Sequence, residues 1–235
     1  CVAFNVMGAA DLYSWMKDPS ILDHFWGKNI WLQKTPFILR NLLAVGLIFV
    51  LWRWQIGLTT RRDKVFLAGD KSKALDLGRA ARDRLRFWSA PILVVYAVCY
   101  TFMGFDMLMS LSPLWFSTLW GGWLFAVMMQ TLLASLLITL FIIKKTTVGN
   151  YIQRLQFHDT GKLLHGFTIF FAYLTFAHVL TYWYGNVPEE TEYFIHRLHA
   201  PWVYIVCIAP FFNFVIPLFA FLVKRFKWSP EAAIP

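Results

Sequence analysis

The sequence predicts an all-α polytopic transmembrane helical bundle, with five spans of which helices two to five form an antiparallel four-helix bundle. Three observations carry this reading. The 235 residues are 58% hydrophobic and 19% aromatic, with a mean hydropathy of +0.53, too apolar for a soluble domain of ordinary usage. Five apolar runs are long enough to cross a bilayer. The charges lie mostly between those runs, so the net charge of +9 reports membrane topology and gives no sign of a nucleic-acid partner.

In chain order, residues 1–35 read as the end of an upstream helix plus an outer connector, with Tyr13, Trp15, Trp26 and Trp31 at headgroup depth. A chain starting at Cys1 is expected to be processed or part of a longer one. Transmembrane helix one covers residues 36–58, with Pro36 at its start, where its missing N–H costs nothing. Residues 59–86 carry nine Lys and Arg against four Asp and read as a basic cytoplasmic loop. Its second half, 71–86, also has the composition of a short surface helix.

Residues 87–223 supply the four remaining spans. Helix two ends near Leu111, closed by Ser112-Pro113, because proline disfavours the helical conformation in the residue before it. Helix three, 114–143, opens with Trp115, Trp120 and Trp123 and carries Gln130, Thr131, Ser135 and Thr139 as groups able to bond across helices. Helix four spans 163–184 and helix five 201–223, where Pro210 and Pro217 predict a local kink; 224–235 is a cytoplasmic tail. The connectors alternate in charge: near zero for the first 35 residues, +5 for 59–86, none in the Ser112-Pro113 turn, +3 for 144–162, −2 for 185–200 and +2 for the tail. The positive-inside rule therefore places the N-terminal end outside and the C-terminal end in the cytoplasm.

Within this frame Asp106 stands out, a carboxylate inside an apolar membrane-length run. Such a group costs several kcal/mol unless paired, hydrated or protonated. It lies five residues, about 7 Å, from the outer end of helix two, and His178 lies about 12 Å from that of helix four, so the two share similar depth. Thr168, Thr175, His178 and Tyr182 recur at seven, three and four residues and fall on one face of helix four. With His158, Asp159 and His165 at the cytoplasmic end, they outline a proton path or a possible quinol contact. The structural alternatives are a hydrogen-bonded interhelical contact for His178, backbone-bonded hydroxyls for the threonines, and an ion pair with Arg40 for Asp106.

No metal or cofactor motif accompanies these residues. Cys1, Cys99 and Cys207 form no C-x-x-C pair. His165 and His178 share one helix, while His196 and His199 lie in the outer loop, so two facing haem ligands are not expected.

The stretches FDMLMSLSPLWFSTLWG (105–121) and HDTGKLLHGFTIFFAYLTFAHVLTYWYGNVPEETEYFIHRLHAPW (158–202), preceded by LYSW (12–15) and KTPFILRNL (34–42), resemble the ActF-type membrane subunits of alternative complex III. These are a branch of the NrfD-like, polysulphide-reductase-type quinol oxidoreductase membrane subunits. The resemblance implies a chain truncated at both ends, in the bacterial cytoplasmic (inner) membrane. It implies a subunit of a quinol:electron-acceptor oxidoreductase that acts as scaffold and proton path, non-catalytic or accessory, with quinol or menaquinol as the substrate and direct quinol binding as the alternative. The implied partners are membrane lipids, a related NrfD-like membrane subunit, an iron-sulfur subunit and multihaem cytochrome c subunits. Haem c and iron-sulfur clusters are then held by those partners and none by this chain. A secondary transporter is the competing class, but the sequence shows neither an internal repeat nor paired midplane helix breaks.

Overall fold

The computed structural model describes residues 12–22, 27–146, 149 and 152–222. The readings for residues 1–11, for Trp26 and for the tail 224–235 lie outside the described residues. Described secondary structure is helical, without strands, and five helices are long and apolar enough to cross a membrane. The chain divides into two compact units, residues 1–113 and 114–235, so the boundary runs between the second and third spans.

In the first unit, two short helices, α1 (Ser14–Lys17) and α2 (Lys28–Trp31), precede the long α3 (Lys34–Leu67) and α4 (Lys71–Met103). The 59–86 stretch is not a loop: α3 runs on to Leu67, and α4 begins at Lys71 and continues unbroken into the apolar span. At 1.5 Å per residue the 34 residues of α3 extend about 50 Å, well beyond a hydrocarbon core of about 30 Å. The polar stretch is rich in Arg, Lys, Leu and Ala, good helix formers that keep the backbone bonded after the bilayer ends.

Only Ala68, Gly69 and Asp70 separate the two helices. Gly69 takes φ +91°, a left-handed value natural to glycine after a helix. Asp70 caps α4 by accepting the Lys73 N–H at 3.0 Å. That bond first, then the one from Ser72, holds the Asp70 carboxyl below its usual range.

After Met103 the helix widens into a π turn over Gly104–Leu108, tightens into a 3₁₀ turn over Met109–Leu111 and stops. Ser112, immediately before Pro113, leaves the helical region with ψ 84°, as the Ser-Pro reading predicts. The N-terminal end of α3 packs into an aromatic cluster of Tyr13, Trp15 and Phe37 with Met16, Leu22 and Leu32. The Trp15 and Phe37 rings meet edge to face at 5.4 Å.

In the second unit α5 (Trp120–Lys144) packs along α6 (Arg154–Gly185). The buried face of α6 includes Phe157, Leu164, Thr168, Phe171, Leu174, His178 and Tyr182, the helical repeat read in the sequence extended toward the start of the helix. Phe157 and Leu164 meet Leu133, Leu137 and Phe221 in one core cluster, and Phe171 and Leu174 meet Ala126 in another. α6 ends at Asn186, whose φ of 45° closes the helix in the left-handed conformation.

The segment read as an outer loop, 185–200, contains a helix, α7 (Pro188–Leu198), started by proline at its first position. Its Tyr193 stacks flat on Trp115 at 3.9 Å, and the Arg197 guanidinium lies over the Tyr193 ring, 3.4 Å from its centroid. The fifth span is interrupted: α8 (Trp202–Pro210), a π turn over Phe211–Val215, then α9 (Ile216–Leu222). The predicted irregularity thus lies between Pro210 and Pro217, and Pro217 has no N–H to give the Asn213 carbonyl four residues before it, inside the π turn.

Candidate functional site

Two polar clusters stand out, one in each unit. In the first, the π turn carries Asp106, whose residue surface is 0% exposed. Four N–H donors reach its two oxygens. Oδ1 accepts from Trp31 Nε1 at 2.8 Å and from Arg40 Nη2 at 2.9 Å. Oδ2 accepts from Arg40 Nε and from Asn41 Nδ2, both at 3.0 Å. The fork of Arg40 matches the two carboxylate oxygens, the strongest form of charge-assisted pairing. The donors are aligned in turn, because Arg40 also donates to the Trp31 carbonyl at 3.0 Å and lies 3.9 Å over the Trp31 ring. Asn41 Nδ2 also bonds the Phe37 carbonyl at 2.8 Å.

The turn itself is pinned from both sides. Ser110 donates to the Asp106 carbonyl and Tyr13 to the Met107 carbonyl. Lys28 Nζ reaches the Pro113 carbonyl at 2.6 Å, and burial pushes its ammonium down to about 8. Burial first, then the Asp106 charge, raises the Tyr13 phenol. A π turn places one extra residue in a helical turn, and here that register directs Asp106 toward α3 and the connector.

Of the three donors to Asp106, the sequence reading named Arg40, placed Trp31 at headgroup depth without a partner and passed over Asn41. The available signal was the adjacent Arg40-Asn41 pair, two strong hydrogen-bonding side chains in an otherwise apolar span.

In the second unit the four residues of the α6 stripe each meet a different partner. Thr168 is fully buried and Thr175 half-buried. Both hydroxyls donate to their own helix, to the Leu164 carbonyl at 2.9 Å and the Phe171 carbonyl at 2.8 Å. Both then accept from α5, Thr175 from Trp123 Nε1 at 2.9 Å and Thr168 from Gln130 Nε2 at 3.4 Å. Gln130 Nε2 further bonds the Asn213 carbonyl in the interrupted fifth span. Tyr182 donates to the Phe116 carbonyl at 2.9 Å. The stripe is therefore bonded sideways, helix to neighbour, in the manner of interhelical polar contacts.

His178 differs from the rest of the stripe. Its Nδ1 faces the Leu174 carbonyl at 2.9 Å, an acceptor only, so Nδ1 carries a hydrogen. Its Nε2 lies 2.9 Å from the Ser117 hydroxyl. Ser117 donates to a neutral ring and accepts from an imidazolium, so the contact survives in either protonation state. The sequence reading missed Ser117, which sits in the irregular segment before α5.

A cavity of about 110 Å³ adjoins His178, walled by Trp115, Trp120, Trp123 and Tyr193 and presenting only apolar surface. That is smaller than the about 300–1,000 Å³ usual for a ligand site, and it lacks the converging polar groups of one.

At the start of α6, His158 Nδ1 lies 3.5 Å from the Asp159 carboxylate, with Asp159 exposed. His165 is half-buried one helical stretch further on. Asp106 and the histidines thus belong to different units, and each of the two clusters finds its polar partners within its own.

Fold and site together define a polytopic helical membrane protein with a buried, fully paired carboxylate and a buried histidine–serine pair. Comparison with protein-family models and with curated proteins gives no significant match.

Proposed function

We propose that this chain is an integral membrane subunit of a bacterial quinol:electron-acceptor oxidoreductase of the alternative complex III type, serving as scaffold with a local proton-handling site. What supports the reading is the convergence of the quoted stretches. Arg40 and Asn41 of KTPFILRNL meet Asp106 of FDMLMS, and Phe116 and Ser117 of WFSTLW meet Tyr182 and His178 of the long second stretch. In the first, the four-donor clamp gives Asp106 a structural duty. In the second, the tolerance of the Ser117–His178 contact for both ring states makes His178 the better proton carrier.

The cavity beside His178 is small and presents no polar surface to a quinol hydroxyl, which favours proton handling over quinol binding at His178 itself. In this reading the partners are the related membrane subunit, the iron-sulfur subunit and the multihaem cytochromes. The charge alternation of the loops supports an N-terminal end outside the inner membrane.

The test is purification of the chain from native membranes with identification of what accompanies it. Recovery with c-type haem and iron-sulfur proteins is expected; recovery alone sinks the reading. Within the complex, His178→Gln is expected to lower quinol-driven proton release with assembly intact. Unchanged release would leave the chain a scaffold only.

A further inference from the structure

The first unit also contains a basic cavity, independent of the reading above. It lies between α3 and the first half of α4, has a volume of about 640 Å³, and is walled by Arg62, Arg79, Arg82 and Arg86 together with Leu75 and Leu85, with no carboxylate in its lining. Arg79, Arg82 and Arg86 recur at three and four residues and share one face of α4. Arg62 comes from α3 and packs over Gly78, where a Cβ would stand 3.2 Å from its Cδ. Arg62 pairs with Asp63 at 2.5 Å, and Arg79 faces Asp76 at 3.6 Å. Arg82 and Arg86 have no carboxylate partner among the described residues.

Depth specifies what such a cavity meets. Trp54 of α3 and Trp88 of α4 touch edge to face at 6.3 Å just below it, and tryptophans on membrane helices mark the headgroup level. Arg86 and Arg82 stand two and six residues from Trp88 toward the polar end, about 3 and 9 Å along the axis. On the other side of the tryptophans the helices expose Phe49, Val50, Leu93 and Val94. Unpaired guanidinium groups thus sit directly above an exposed apolar surface, the layout of an anionic amphiphile in reverse.

We propose that this cavity binds the headgroup of an anionic phospholipid, its phosphate held by Arg82 and Arg86 and its acyl chains lying along α3 and α4 beyond Trp54 and Trp88. The experiment titrates the purified full chain in neutral detergent, at fixed ionic strength, with dioleoylphosphatidylglycerol, dioleoylphosphatidylcholine and inorganic phosphate. Native mass spectrometry counts the lipid retained. Phosphatidylglycerol is expected to bind and the other two are not. Each arginine near a membrane surface is worth about fivefold, so R82Q/R86Q is expected to weaken phosphatidylglycerol binding about thirtyfold. The control pair K145Q/R154Q, in the second unit, leaves it unchanged.

Equal binding of inorganic phosphate would overturn the lipid assignment in favour of a free-anion site. An equal loss in the control pair would reduce the effect to overall charge and overturn the proposal. If the double variant does not purify as a monodisperse species, R86Q alone, read against its expected fivefold, decides in the same way.

Discussion

The two buried polar clusters solve the same problem, a polar group at membrane depth, in opposite ways. Asp106 is a charge answered by a charge: four N–H donors fill two oxygens, and two of the four belong to the guanidinium of Arg40. His178 is a ring held between a carbonyl and a hydroxyl, with no charged group among its hydrogen-bond partners. The first arrangement surrounds its carboxylate with donors alone, and the second places beside its ring a hydroxyl able to donate or accept. The difference teaches that the costlier residue is the more structural one. Its insertion penalty has been offset so completely that little chemistry is left to it.

Removing one partner from each cluster tests that contrast, beginning with the pair that has most to lose. Arg40→Met leaves the Asp106 carboxylate, 1% exposed, without its cation. Breaking a buried pair in this way is expected to cost about 3–5 kcal/mol, read as a fall in unfolding midpoint in detergent. A loss below about 1 kcal/mol would show that Trp31 and Asn41 suffice alone.

Asp106→Asn is expected to cost less, about 1–3 kcal/mol. The orphan is then Arg40, 25% exposed and able to recruit water. The asymmetry between the two single variants is the diagnostic quantity: equal losses would mean that Arg40 is as enclosed as its partner. Arg40→Met combined with Asp106→Leu, which removes both charges, is expected to regain most of the Arg40→Met loss.

That asymmetry also marks where sequence reasoning stopped. The five spans, the Ser-Pro stop after Leu111 and the polar face of α6 were legible, because each follows from composition or helical period. Arg40 was legible as a candidate partner, since few cations share the depth of Asp106. Trp31 was not, because an indole near a membrane boundary is ordinarily an interfacial anchor and nothing local distinguishes one that donates inward. The helix formers of 71–86 were legible as a short helix, whereas the continuation of the first span through 59–67 was obscured by its charges. Ser117 lay in a segment without periodicity, where no pattern assigns a side chain to a partner. The two-unit division, which groups spans one and two apart from three to five, has no signal in hydropathy at all.

On the second cluster the expected effects are smaller. Ser117→Ala removes one neutral hydrogen bond and leaves His178 Nε2 without its hydroxyl, a loss of about 1 kcal/mol in unfolding free energy. If it matched the effect of Arg40→Met, the Ser117–His178 pair would be carrying charge and the contrast between the clusters would collapse.

The smallest expected effect is at Trp123 and Thr175. Trp123→Phe removes the N–H that reaches the Thr175 hydroxyl at 2.9 Å, yet that hydroxyl keeps its bond to the Phe171 carbonyl. Thr175→Val instead orphans the indole N–H, a donor with one hydrogen and no alternative. The ring of Trp123 also packs on Phe171 and Trp120, so its truncation mixes lost packing with the lost bond. A double-mutant cycle separates the two, because the packing loss recurs in both branches and cancels. A coupling of about 0.6 kcal/mol is expected, the mean for side-chain hydrogen bonds between membrane helices. A coupling near zero would make the lateral bonds of the α6 stripe incidental to the packing of α5 on α6. A coupling above about 2 kcal/mol, larger than such neutral contacts reach, would place this contact with the Asp106 clamp instead of with its neighbours on the stripe.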